Sequence, residues 1–189
     1  MARVREVLTR PLVVAVLVVA VGGAGFGLYW FQPWKLWQDT TVDEALPGVV
    51  TSEPSAGAPP AGSSGQPSPA PGPRTLASGE LISHEHETTG TAKLVRLPDG
   101  SHVLRLEDLA TSSGPDLRVW LTDAPVKRGL AGWRVFDDGE YVSLGALKGN
   151  KGSQNYVLPP DVDPAGYSSV SIWCDRFDVS FGAAELARA

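Results

Sequence analysis

Hydrophobic and polar residues change their pattern twice along this chain, and each change marks a different kind of segment. Residues 12–31 contain no charged side chain and no Asn, Gln, Ser or Thr. As a helix rising about 1.5 Å per residue, such a run covers about 30 Å, the hydrocarbon thickness of a bilayer. Within that core the backbone must satisfy its own hydrogen bonds, so the run is predicted to be a transmembrane helix over residues 11–31. Pro11 suits the first helical position. Tyr29, Trp30, Trp34 and Trp37 gather at the far end, as interfacial aromatic residues do. Residues 35–46 read as a brief amphipathic helix on the outer membrane surface.

From Thr75 onward the period becomes two. Leu117, Val119 and Leu121 alternate with Arg118 and Trp120, and Val142, Leu144 and Ala146 with Tyr141 and Ser143. His102, Leu104 and Leu106 alternate with Val103, Arg105 and Glu107, and Phe177, Val179 and Phe181 with Asp178 and Ser180. Turn signals separate these runs: Pro98-Asp99-Gly100, Ser113-Gly114-Pro115, Asp138-Gly139, Gly149-Asn150 and Pro164-Ala165-Gly166. Short alternating strands with a turn every ten or so residues predict an all-β fold, an antiparallel β-sandwich. Strict alternation turns Trp120 and Trp173 outward. Two bare indoles would form a conspicuous apolar patch, so at least one is expected to lie under a covering loop.

Between the two patterned regions there is no period. Residues 47–73 carry 8 Pro, 5 Gly, 5 Ser and a single charge, Glu53. Without large apolar side chains the stretch cannot form a core, so residues 47–74 are expected to be a disordered linker. A coil of this length spans roughly 30 Å end to end and about 80 Å at full extension. The expected organisation is therefore a tail at 1–10, the helix at 11–31, a juxtamembrane segment at 32–46, the linker at 47–74 and one domain at 75–189.

Charge sets the orientation. Arg3, Arg5 and Arg10 precede the apolar run, opposed by Glu6, whereas Lys35 is followed by Asp39, Asp43 and Glu44. The positive-inside rule places the amino terminus in the cytoplasm and the domain outside it, in the plasma membrane. Gly22 and Ala24 have the spacing of a signal-peptide cleavage site, which is the alternative reading of the helix. Residues 75–189 hold 11 Lys and Arg against 16 Asp and Glu, which argues against nucleic acid as a partner. The expected partners are the lipid bilayer, through the helix, and an extracytoplasmic redox or binding partner.

Candidate chemistry is constrained most by cysteine. Cys174 stands alone in the chain. No intrachain disulfide, four-cysteine iron–sulfur cluster or Cys-x-x-Cys-His haem attachment can form. A blue-copper centre is disfavoured, since no His or Met follows Cys174. Cys174 closes the run Ser169-Val170-Ser171-Ile172-Trp173, sharing a face with Val170 and Ile172. It is either a packed thiol or a thiol or soft ligand at a strand end. His84 and His86 lie two apart and would share a strand face, but Glu85 and Glu87 surround them as on an exposed polar edge. His102 shares its face with Leu104 and Leu106. The Lys148-Gly149-Asn150-Lys151-Gly152 loop lacks phosphate-loop spacing, and Asp137-Asp138 sits in an expected hairpin turn. No Gly-x-Ser-x-Gly or His-Glu-x-x-His motif occurs.

From about Ser78 to Leu186 the chain resembles the DM-13 domain, a small β-rich extracytoplasmic module. The resemblance lies in Gly114-Pro115-Asp116-Leu117 with Val119-Trp120-Leu121-Thr122, and in Leu144-Gly145-Ala146-Leu147-Lys148-Gly149-Asn150. It continues in Gly152-Ser153-Gln154-Asn155-Tyr156, Leu158-Pro159, Ser169-Val170-Ser171-Ile172-Trp173-Cys174 and Phe177-Asp178-Val179-Ser180-Phe181-Gly182-Ala183-Ala184. It implies that the family's characteristic cysteine falls on Cys174, and that the function is electron transfer at the cell surface. Cys174 would then be the redox thiol, or the cofactor-binding ligand of a group such as haem. The alternative is a non-catalytic binding module for a surface glycan or protein, with exposed Trp120 or Trp133 as anchors.

Overall fold

The computed structural model describes residues 11–49 and 72–189. The expected tail at 1–10 and most of the expected linker fall outside the described residues. Helix α1 (Pro11–Phe31) is apolar all round, with no residue buried. It is the one helix among the described residues long and apolar enough to cross a membrane. That makes the chain compatible with a single-pass anchor.

The chain separates into two units, Met1–Gln38 and Asp39–Ala189. The second holds eleven strands: β1 (Thr41–Asp43), β2 (Arg74–Glu80), β3 (Ile82–Ser83), β4 (Thr89–Arg96), β5 (His102–Ala110), β6 (Leu117–Thr122), β7 (Tyr141–Ala146), β8 (Lys151–Val157), β9 (Ser169–Cys174), β10 (Val179–Glu185) and β11 (Ala187–Arg188). One sheet has the order β1-β8-β5-β4-β2-β11 and the other β3-β10-β9-β6-β7. This is the expected β-sandwich. Leu94, Leu104, Leu106, Val119, Leu121, Val170, Ile172 and Phe181 form the core between the sheets. The alternation did its work here: these residues recur every second position and turn one way on the pleat.

Two local expectations are corrected. Residues 35–46 do not form an amphipathic helix. A 3-10 turn at Pro33–Trp37 is followed by extended chain, because Thr40, Thr41 and Val42 are β-branched and favour a strand when an edge is available to pair with. The compact unit also begins at Asp39, well before the expected Thr75. Strand β1 pairs with β8 in parallel, the one parallel pairing among those described, with Thr41 opposite Lys151 and Asp43 opposite Ser153.

The glycine-rich loop is what admits β1. A Cβ on Gly152 would lie 2.1 Å from the Val42 carbonyl oxygen, and one on Gly149 would lie 2.5 Å from that of Thr40. Only glycine leaves room for a backbone so close, and Gly152 also has φ +91. Side chains then clasp the strand. Lys148 Nζ donates to both Glu44 carboxylate oxygens at 2.8 and 3.0 Å, Lys151 Nζ to Asp39 at 2.5 Å, and Asn155 Nδ2 to the Ala45 carbonyl at 2.8 Å. Buried Gln154 holds the loop from within, donating to the Gly149 carbonyl at 2.8 Å. The chain leaving α1 is thus part of the first sheet before it reaches residue 50, and it re-enters that sheet at Arg74. The proline-rich stretch joins two strands of one sheet.

Candidate functional site

Cys174 is the last residue of β9, opposite Leu117 of β6 and Val179 of β10. The turn that follows is set by Asp178, at φ +50, and by a hydrogen bond from the Phe177 N–H to the Cys174 carbonyl at 3.2 Å. Short polar residues such as Asp tolerate this left-handed conformation. Phe177, expected in the last strand, lies in that turn, and β10 begins at Val179.

The residue is 0% exposed and belongs to the core between the sheets. Burial pushes its thiol upward, against the backbone N–H groups of Arg176, Phe177 and Asp116, which favour the thiolate and pull it down. At the rim beside it, Arg118 pairs with Asp175 at 2.5 Å and Asp116 at 3.4 Å. Desolvation nevertheless holds the Asp175 carboxyl above its usual range.

A haem on Cys174 needs one side of the sulfur open to a planar group. With the residue fully enclosed by core side chains, its surroundings do not fit such a group. Among the described residues no cluster of three His, Cys, Asp or Glu could hold a metal ion.

The histidines go elsewhere. His84 and His86 lie beyond β3 and do not share a strand face. Both ring nitrogens of His84 are engaged, Nδ1 with Ser180 Oγ at 2.8 Å and Nε2 with the Lys127 carbonyl at 3.0 Å. The carbonyl can only accept, so Nε2 carries the proton and Nδ1 accepts from Ser180. Burial lowers the His84 pKa. The His86 ring packs on Phe181 at 3.9 Å between centroids. His102 opens β5 and lines a cavity of about 630 Å³ with Val157, Leu158 and Pro159. The strand registers place that cavity at the opposite end of the sandwich from Cys174.

The outward face of the second sheet was only partly legible in the sequence. Trp120 and Trp173 do point away from the core, and both are covered, at 5% and 1% exposure. The cover is the connection between β6 and β7, residues 123–140, whose Ala124 and Phe136 form a second apolar cluster with the two indoles. Asp137 and Asp138 lie in this long connection and not in a tight hairpin turn. The Tyr141 ring caps Trp120 at 4.0 Å with a 10° angle between planes, and Trp120 stacks on Trp173 at 4.8 Å and 22°. With Trp120 buried, one of the two anchors expected of a binding module is withdrawn from the surface; the other, Trp133, is half-buried against the core.

A two-sheet sandwich with one cysteine enclosed in its core at a strand end and stacked aromatic rings on the outer face of the same sheet defines a small β-domain. The family model for the electron transfer DM13 domain matches residues 80–186, more than half of the chain, and the chain belongs to that family. No curated protein and no solved structure matches it.

Proposed function

We propose that this protein is a membrane-anchored extracytoplasmic electron-transfer module whose redox residue is Cys174, acting as a thiol without a bound prosthetic group. The observation that carries the reading is the setting of the thiol. Cys174 closes a central strand of a domain of the electron transfer DM13 family. Its wholly enclosed setting raises its pKa, offset only in part by three backbone N–H groups, so that it rests as the thiol. A sulfur that no reagent can touch exchanges electrons without exchanging groups. The amino terminus is cytoplasmic, by the arginines ahead of α1, and the sandwich faces outward.

Full-length protein in lipid nanodiscs tests this. Native Cys174 should resist maleimide, yet a one-electron oxidant, hexachloroiridate(IV), should give a radical by freeze-quench electron paramagnetic resonance that Cys174→Ala removes or alters. An identical radical in Cys174→Ala overturns the assignment. For orientation, protease added outside intact cells should degrade the sandwich, and a protected domain would reverse the topology.

A further inference from the structure

We propose that Tyr141, Trp120 and Trp173 form an electron relay, carrying single electrons between Cys174 and a strong one-electron oxidant that meets the protein at Tyr141. The inference rests on the redox reading of Cys174 and adds the route and the port.

Three observations place the relay. First, the rings are continuous. Tyr141 is 44% exposed, and its ring lies 4.0 Å from Trp120, which lies 4.8 Å from Trp173. Electron tunnelling decays exponentially with distance, and stacked π-systems at contact couple strongly. The next ring, Phe136, meets Trp173 edge-on at 6.4 Å and is much harder to oxidise than an indole or phenol, so the oxidisable series ends at Trp173. Second, the series runs the right way. Tyr141 is opposite Thr122 at one end of the second sheet, Trp120 is opposite Ser171, and Trp173 is bonded to Cys174 at the other end. The exposed ring is thereby linked to the enclosed thiol through the sheet's outer layer and one peptide unit.

Third, Trp120 carries a polar atom that its packing leaves unsatisfied. Buried indoles normally find a partner for their N–H, whereas buried Trp120 Nε1 has no hydrogen-bond partner among the described residues. An unmade bond of this kind is costly. It also fixes the chemistry: with no acceptor, an oxidised Trp120 keeps its proton.

The oxidant gains one electron and Trp120 becomes a radical cation; no bond breaks. An electron from Trp173 refills Trp120 and one from Cys174 refills Trp173, while the S–H bond breaks and its proton passes to the Asp116 carboxylate, the anionic group whose charge acts on the thiol. The products are a thiyl radical, a protonated Asp116 and the reduced oxidant. Phenols and indoles yield an electron only to high-potential acceptors, so the partner is a high-valent metal centre or an oxygen-derived radical.

The test uses full-length protein in nanodiscs with Glu140→Cys labelled by a ruthenium polypyridyl sensitiser, beside the port. Flash-quench oxidation should produce the indole radical absorbance, and Trp120→Phe, which keeps an aromatic ring in place, should abolish it. Trp173→Phe should leave the radical formed but long-lived, because the hole can no longer pass on. Unchanged near-ultraviolet circular dichroism of Tyr141→Phe, with delayed radical formation, guards against a folding artefact. Absence of indole radical in the labelled protein, or its persistence in Trp120→Phe, overturns the relay even if Cys174 proves redox-active by hexachloroiridate. Radical formation whose decay ignores Cys174→Ala overturns the connection to Cys174, and so separates failure of the relay's endpoint from failure of its stack.

Discussion

On the outer face of the first sheet, Lys93 and Arg105 stand opposite each other on β4 and β5, and both pair with Glu107. On the outer face of the second, the equivalent outward positions of β6 and β9 hold Trp120 and Trp173, sealed by residues 123–140. Every residue of β9 is buried, whereas β4 and β7 keep exposed positions. The same two-residue period therefore finishes in opposite ways: the first sheet meets water through charges, whereas the central strands β6 and β9 of the second are covered on both faces. The extra layer covers Trp120 and Trp173 from outside, whereas Cys174 is enclosed on the opposite face, in the core between the sheets. The aromatic stack belongs to the second sheet and the strand that follows α1 to the first.

The sharpest way to break this contrast is to truncate one residue on each outer face. Trp173→Ala empties a sealed layer and should cost about 3–5 kcal/mol, while Lys93→Ala removes a partly exposed ion pair and should cost about 1 kcal/mol or less. Chemical unfolding followed by circular dichroism measures both. Equal costs would mean that the two faces are not energetically distinct.

Gly152→Val tests the first sheet at its edge. The added side chain collides with the Val42 backbone, so β1 should leave β8 and the domain lose about 1–3 kcal/mol. Residues 39–48 should become protease-sensitive while the fluorescence of the buried indoles is unchanged. If the indoles become exposed as well, the two layers are coupled and the contrast fails.

Cys174→Ala should cost about 1 kcal/mol through lost packing. Cys174→Ser places a hydroxyl in the same apolar core and should cost more. Equal stability of the two variants would mean that the site is wetter than its enclosure implies.

Acid gives the finest comparison. His84 sits neutral in the second sheet's outer layer with its pKa lowered, chiefly by burial, from 6.5. Below pH 6.5 the unfolded chain binds more protons there than the folded one, so stability falls as pH drops through and below that value. Glu44 has its pKa lowered from 4.5, chiefly by Lys148. By the same sign its hold on β1 is complete above about pH 4.5 and is lost as pH falls through the lower folded value. Acid titration should therefore perturb indole fluorescence first and release β1 second. Reversal of that order, read by fluorescence and by protease sensitivity of residues 39–48, would show that the layers respond otherwise.

Local pattern determined a good deal by itself. The unbroken apolar run of residues 12–31 specified a membrane-length helix, because no polar side chain interrupts it. The alternation in β5, β6 and β9 specified both the sandwich and which side chains face its core, because the pleat converts sequence parity into a face. The family motifs around Cys174 were legible for the same reason: they are contiguous. Tertiary structure decided the rest, through contacts between residues far apart in the chain. The sequence around Gly149 and Gly152 shows a glycine-rich loop without phosphate-loop spacing; only the fold shows that Thr40 and Val42, more than a hundred positions earlier, need the missing side chains. Three residues of β1 carry too little pattern to announce a strand, and it is the open edge of β8 that makes them one. Whether Trp120 and Trp173 face water or a covering layer depends on where residues 123–140 fold back. No periodicity encodes that, since a covering loop is placed by the surface it covers.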